Sequence, residues 1–301
     1  MLSSTHEFDT SAPPPVGFRG PRARLSRRFA QWGASGWAGS VLLAFLVLVA
    51  LAGPIVTGNP MRMDVPARLQ PPSPGHLMGT DEFGRDILTR VVHGARISLG
   101  AGVGVVLVGL GIGLTLGLVA AYRGGAFGLG AMSLVDIMLA LPGVLLAIVI
   151  AALLSPRLTT AIIAVGIVTI PYYARLVWGV TQTVRLREYV EAARAAGASD
   201  ARIIVRHLLP GVFPPALVQA TLGVGNGILS VSALSFLGVG AQPPTPEWGL
   251  MLSQAQRFIL VAPYMGVFPG LGIMLAVLSF NLIGDAMRDL LDPVLARTVR
   301  Q

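Results

Sequence analysis

Uncharged apolar stretches long enough to cross a bilayer recur along this chain. Their recurrence limits the possible fold more than any single motif does. Residues 29–61, 97–122 and 158–174 contain no charged side chain. A helix of about 20 apolar residues spans the hydrocarbon core of a membrane. Six spans are expected on this basis. They are Trp37–Val56, 97–122, Met132–Leu154, 158 to about Trp178, Pro210–Phe236 and Met265–Gly284. In lipid every backbone polar group must be satisfied within the chain, so the expected class is all-α and polytopic.

Composition agrees. The chain is 53% hydrophobic and 12% charged, with a mean hydropathy of +0.72, whereas soluble domains carry roughly 25% charged residues. The net charge of +8 is made entirely with Arg, since Lys is absent. These Arg residues flank apolar spans, so the positive-inside bias accounts for them without a nucleic-acid partner. With the N-terminus inside, 15 Arg residues fall on the inner side and 7 on the outer. That places both termini in the cytoplasm and the chain in the cytoplasmic (inner) membrane as a multi-pass protein in contact with lipid. The expected organisation is a cytoplasmic arm over 1–35, a first transmembrane helix over 36–58 and an outer loop over 59–96. A core of five further helices follows over 97–285, then a cytoplasmic tail over 286–301. The arm is too long and too interrupted by Pro13, Pro14 and Pro15 for a signal-peptide n-region.

Missing residue types exclude chemistry. Without Cys there is no disulfide, thiolate metal site or cysteine nucleophile. Without Lys there is no Walker A loop and no Schiff-base lysine. The four His residues, at 6, 76, 93 and 207, are too scattered to form a ligand set. No catalytic residue, metal site or bound cofactor is expected.

The spans are rich in small residues, the second holding Gly100, Gly102, Gly104, Gly109, Gly111, Gly113 and Gly117. Such residues let backbones approach closely in lipid, either within the chain or at a dimer seam. Pro142 and Pro171 interrupt the third and fourth spans and permit kinks. Asp136, near the inner boundary of the third span, is expected to pair with Arg123 or with a neighbouring subunit.

Between the fourth and fifth spans lies a polar, Arg-rich island, residues 188–211. Residues 188–196 favour helix, Gly197 suits the left-handed position after a helix end, and Ser199 or Asp200 suits an N-cap. A second helix over Ala201–Leu208, closed by Pro210, completes a helix–bend–helix unit. Small side chains at Ala192, Ala193, Ala195 and Ala196 suit insertion into a cleft of another protein, and Glu191 offers a hydrogen-bond acceptor. An ordinary connection between two spans would also satisfy this composition.

The spacing separates the two. Glu191-Ala192-Ala193, then Gly197, then His207-Leu208-Leu209-Pro210 resembles the signature loop of ATP-binding-cassette importer permeases. His at 207 is usual in the peptide and nickel branch. Gly211 stands where that branch often has Asn. Three further blocks resemble the C-type subunit of dipeptide, oligopeptide or nickel importers: Gly79–Asp86 with Gly94–Leu99, Ser235–Gly238 with Gln242–Gly249, and Phe268–Gly270 with Asn281–Asp285 and Arg288–Pro293. The resemblance covers about residues 75–294 and leaves out the N-terminal arm.

The resemblance implies the type I importer permease fold of six transmembrane helices, with cytoplasmic coupling helices over 188–210. It implies that Glu191, Ala192, Ala193, Gly197, His207, Leu209 and Pro210 couple to the ATPases. It implies three kinds of protein partner: a B-type permease, two ATP-binding-cassette ATPases that use ATP and Mg, and an extracytoplasmic substrate-binding protein. The substrate path is then expected along the third to sixth spans. Read from the residues alone, Asp81, Glu82, Arg85 and Asp86 form local ion pairs and a helix cap, and Trp248 is an interfacial anchor. A secondary transporter would want midplane ionisable groups or an inverted repeat, and a membrane enzyme would want clustered His, Asp or Glu. Neither pattern is visible. Substrates other than peptides, nickel among them, stay open at this point.

Overall fold

The computed structural model describes residues 32–291; among these every regular element is a helix and none is a strand, while 57–86 and 237–247 are mostly loop. Nine helices follow in chain order. They are α1 (Gly33–Val56), α2 (Ile87–Arg123), α3 (Gly125–Ala140), α4 (Gly143–Leu153), α5 (Leu158–Val184), α6 (Glu188–Ala195), α7 (Asp200–Phe236), α8 (Trp248–Ala255) and α9 (Tyr264–Leu291). Five of them, α1, α2, α5, α7 and α9, are long and apolar enough to cross a membrane. The expected arm and tail lie outside the described residues except at 32–35 and 286–291, which belong to the ends of α1 and α9.

The expected third span is not one helix. The chain breaks between α3 and α4, which are bent by 93°. Pro142 supplies no backbone N–H, and its ring drives the preceding residue out of the helical region. Leu141 accordingly sits at φ −84°, ψ 139°. Pro171 behaves differently, lying buried within an unbroken α5.

α2 begins ten residues before the apolar run does. Asp86 caps it, accepting hydrogen bonds from the backbone N–H and the hydroxyl of Thr89, both at 2.8 Å. At about 1.5 Å per residue its 37 residues run to roughly 55 Å, well beyond a hydrocarbon core of about 30 Å, so its ends project. α7 also differs from expectation. Instead of a helix closed by Pro210 and a separate span, one helix runs from Asp200 to Phe236. A π-turn over Ile203–Leu208 leads into Pro210, with Leu209 N–H bonded to the Ile204 carbonyl five residues back. A proline in an α-helix clashes with the carbonyl four residues earlier, and the wider turn just upstream eases that clash without ending the helix.

α2 lies at the centre, packed most extensively on α5 and next on α7, while α9 closes against α7 and α1. The glycines of α2 make this possible. A Cβ at Gly113 would lie 2.7 Å from Tyr173 Cβ, and one at Gly117 would lie 2.6 Å from the Ala174 carbonyl oxygen, both on α5. Gly102 does the same against Ile228 of α7. These glycines therefore serve packing within the chain, whereas Gly100 and Gly111 face open space.

Trp248 is not an interfacial anchor. It is 1% exposed, lies under Gly94 and Gly272, and donates from Nε1 to the Val91 carbonyl at 2.9 Å. Trp248 is the first residue of α8, and its ring fills the space that Gly94 of α2 and Gly272 of α9 leave open. Glu247 beside it is fully buried and caps α8 through the N–H groups of Gly249 and Leu250. At the same end, Arg85 donates to Asp81 at 2.6 Å. Arg90, 1% exposed, reaches the carbonyls of Pro60 and Pro244 and the side chain of Gln254. The expected local ion pairs are thus present, and Arg90 extends them into a long-range staple. Burial pushes the half-buried Glu82 carboxyl above its usual range, with the Asp81 charge adding to the effect.

Candidate functional site

At the other end of α2 the chain forms an elbow. α6 has Glu188 and Glu191 in its first turn, where the positive end of the helix dipole favours carboxylates. It is pinned by one side chain. Val190 is fully buried against a cluster that includes Val177, Val184, Ile203, Leu208 and Val212. The helix ends in a Schellman arrangement, with Gly197 N–H bonded to Arg194 O at 3.0 Å and Ala198 N–H to Ala193 O at 3.1 Å. Gly197 stands at φ +77°, and a Cβ there would meet nothing within 4 Å. Ser199 occupies the N-cap position of α7 without a side-chain hydrogen bond.

The two arms are tied to each other and to the bundle. Tyr189 donates to the His207 carbonyl at 3.3 Å and stacks its ring on the His207 imidazole. Tyr122, at the end of α2, donates to Asp200 at 2.6 Å, and Arg194 lies over the Tyr122 ring. Arg185 donates to the Ala121 carbonyl at 2.8 Å, satisfying one of the last acceptors of α2. The elbow is therefore anchored on α2 as well as on the chain that leads into and out of it.

The residues singled out from the sequence lie on both arms. Glu191 and Ala192 are exposed on α6, and Ala193 is half-buried with its carbonyl closing the bend. Gly197 is the bend itself. His207, Leu209 and Pro210 lie beyond it on the π-turn and the first turn after it. His207 is half-buried against Tyr189 and Leu209 is half-buried, while Pro210 is exposed. Ala195 and Ala196 are exposed, and Leu186 and Val205 flank them at 70% and 62% exposure. Sequence reasoning missed Val190 and Ile203, the anchors, and Tyr122 and Tyr189, the ties; Asp200, expected as a candidate helix cap, instead accepts from Tyr122. Val190 and Ile203 had a signal, since they are apolar residues inside a polar island at helix-face positions. The partnership of Tyr122 with Asp200, 78 positions apart, has none.

A second feature lies between the two ends. α4, α5 and α7 enclose a groove of about 470 Å³. Gln219, Gly223, Asn226 and Ser230 of α7 lie along it at steps of four, three and four residues, which is one face of a helix. Thr169 and Tyr172 of α5 face them. Asp136 of α3 forms an ion pair with Arg175 of α5, and both side chains are about half-exposed. The pairing with Arg123 expected from the sequence does not occur. The chain turns at Gly124 between α2 and α3, and Arg123 lies over the Phe127 ring instead.

The described residues thus form a bundle of apolar helices with a bent helix pair, a polar groove and a projecting helical elbow. Residues 113–297 match the family model described as binding-protein-dependent transport system inner membrane component. The chain belongs to that family of transport-system inner membrane components. It is 48% identical over 256 residues to the dipeptide transport system permease protein DppC of Alkalihalophilus pseudofirmus, covering 85% of this chain and 84% of that one. It is 49% identical over 222 residues to the glutathione transport system permease protein GsiD of Escherichia coli O1:K1, covering 74% and 73%. Among solved structures it resembles a chain of the MetNI methionine ABC transporter in inward-facing conformations. That match has a TM-score of 0.54 and 22% identity over 67% of this chain and 96% of that one.

Proposed function

We propose that this chain is one of two permease subunits of an ATP-driven importer that carries di- and oligopeptides across the cytoplasmic membrane. The reading rests on the family and on the dipeptide and glutathione permeases among its relatives. In it α3 and α4 together make the third of six spans, both termini face the cytoplasm, and the elbow lies on the cytoplasmic side. The Arg bias of the sequence supports that orientation. A related B-type permease, two ATPases and an extracytoplasmic binding protein complete the machine, and ATP and Mg are used by the ATPases.

One observation carries the coupling role. The alanine face of α6 with Glu191 projects from the bundle, yet the helix is held by fully buried Val190 and by Arg194 over the Tyr122 ring. A docking helix must be exposed to be gripped and rigidly seated to transmit what grips it. Closing of an ATPase dimer would displace α6, and the displacement would pass to α2 and α7 as a rigid-body shift. Glu191 supplies an acceptor for a partner Arg or amide, and Ala192, Ala193, Ala195 and Ala196 allow close approach. Gly197 sets the angle between the arms. His207 braces Tyr189, and Leu209 and Pro210 lead into α7.

The test is purification of this chain from its native membrane in mild detergent with identification of what accompanies it. Recovery of a second permease and of ATPases, with the ATPases lost in Glu191→Arg, is the expected result. Recovery of this chain alone, still moving solute in liposomes without ATP, would overturn the reading in favour of a secondary transporter.

A further inference from the structure

The groove between α4, α5 and α7 carries polar groups that nothing inside the chain uses. Asn226 is exposed and Gln219 half-exposed, and among the described residues neither side chain makes a hydrogen bond. Asn226 lies 16 residues past Pro210 and 10 before the end of α7, in the middle of an apolar helix. A carboxamide left unpaired in hydrocarbon costs several kcal/mol. This face of α7 therefore meets water, a polar ligand or polar groups of a partner subunit rather than lipid tails.

The chemistry of the wall is specific. Gln219, Asn226, Ser230 and Tyr172 each present a donor and an acceptor, Thr169 uses its hydroxyl proton on the Gly166 carbonyl and keeps an acceptor, and no carboxylate, imidazole or guanidinium lines the groove. A bare metal ion wants carboxylate, imidazole or thiolate ligands, and an anion wants Arg or a cluster of N–H groups. A row of groups that both donate and accept matches a chain of amides, where N–H and C=O alternate. From Gln219 to Ser230 the row runs about 16 Å at ~1.5 Å per residue. That is the length of about five extended peptide residues.

We infer that this groove is a subsite for the peptide backbone in transit, in which Gln219, Asn226 and Ser230 hydrogen-bond the amides of an extended peptide without reading its side-chain charge. The inference rests on the permease reading above and adds the ligand class and the residues to it. Gly223 interrupts the row for a packing reason of its own, since a Cβ there would run into the Tyr173 hydroxyl. A groove built this way passes peptides of different charge at similar rates and leaves selection to other parts of the machine.

The experiment uses the complete transporter, with its partner subunits and binding protein, in proteoliposomes. Since the chain has no native cysteine, Asn226→Cys and Ser230→Cys give reporters in this subunit, read against the wild-type complex. Both should react with a charged maleimide that does not cross membranes. Trialanine, supplied with the binding protein and ATP, should slow the reaction at least fivefold. Leu107→Cys, at an exposed α2 position outside the groove, should stay unlabelled. In uptake, Gln219→Leu/Asn226→Leu should lower trialanine import at least tenfold while ATPase stimulation by the loaded binding protein persists, and Asn226→Gln should restore most of it. Asn226→Asp should favour Ala-Lys-Ala over Ala-Glu-Ala several-fold, where the wild type imports both alike.

Unreactive cysteines at 226 and 230, labelling that trialanine does not slow, or full import by the double Leu variant would each overturn the inference. If the double variant fails to assemble, the labelling result decides. Failure of the permease reading looks different, since the wild-type complex would then import none of the three peptides.

Discussion

The bend at Gly197 can be perturbed without touching any contact. A Cβ there meets nothing within 4 Å, so Gly197→Ala introduces no clash and acts only through the backbone, which must hold φ +77°. The left-handed conformation costs an L-residue roughly 1–2 kcal/mol, which is about five- to thirtyfold in the population of the bent state. Asn tolerates the left-handed region several-fold better than other residues, so Gly197→Asn should lie close to wild type. Gly197→Pro should lie far beyond Ala. Its ring fixes φ near −65°, and it removes the N–H that donates to the Arg194 carbonyl. The assay is titration of the purified ATPases onto the permease pair in nanodiscs, with the Kd read for each variant. The expected order of affinity is Gly, Asn, Ala, Pro, with Ala weakened by up to about thirtyfold. Two results would refute the reasoning. One is Ala within twofold of wild type in a protein that folds normally. The other is Asn as damaging as Pro, since neither is compatible with a bend that sets the docking geometry.

Three more expectations come from the packing and charges. Val190→Ala should remove about 1.5–3 kcal/mol of burial from the anchor of α6, so that its amides exchange with solvent about ten- to a hundredfold faster at equal fold content; unchanged exchange would mean α6 is held elsewhere. Asp136→Asn and Arg175→Gln should each lower the unfolding temperature, and the charge-exchanged Asp136→Arg/Arg175→Asp protein should regain part of the loss, whereas additive losses in that cycle would show that the two groups do not act as a pair. Glu82 tests pH linkage. Its folded-state pKa is raised by burial, so the folded chain binds the proton more tightly than the unfolded one. Stability from this group is present at low pH and falls as pH rises from the ordinary carboxylate range through the raised value. Glu82→Gln should therefore raise the unfolding temperature at neutral pH, with the gap over wild type narrowing on acidification. A gap that widens instead would reverse the sign.

What the sequence could reveal depended on the range of the physics involved. The long spans were legible because hydrocarbon thickness fixes a minimum apolar length, and α1, α5 and α9 fall close to where hydropathy puts them. The bend at Gly197 was legible because helix termination is local chemistry. The break at Leu141–Pro142 was only half legible. A proline in a span signals a weak point, but whether it becomes a break or stays within a helix, as Pro171 does, depends on what packs around it. Trp248 misled because an aromatic residue near an apolar run suits an interface and a core equally. The glycines that admit its ring, Gly94 and Gly272, lie far away in sequence. The same holds for Arg90, whose carbonyl partner on Pro244 is 154 positions distant. The polar face of α7 was in plain view at steps of four, three and four residues, but its meaning required knowing that those side chains find no partner.

The way these features are joined constrains how work could reach the groove. The elbow is tied to the end of α2 through Tyr122–Asp200 and Arg185–Ala121, and α2 lies against α5 through glycines that leave no slack. α5 and α7 form two walls of the groove, and both are continuous with the elbow along the chain. α3 is held to α5 by Asp136–Arg175. These parts have contacts that resist sliding. α4, the third wall, is separated from α3 by two residues in extended conformation, one of them a proline, and its Val144, Leu145 and Val149 are exposed. Packed interiors are bistable rather than smoothly deformable, so a displacement applied at the elbow concentrates where packing is thinnest. On the permease reading proposed above, that place would be the break at Leu141–Pro142. A push on α6 would leave the α2–α5 pair intact and change the width of the groove by swinging α4. On that reading the bent α3–α4 pair, which hydropathy presents as a single span, would be the element that lets a rigid bundle open and close.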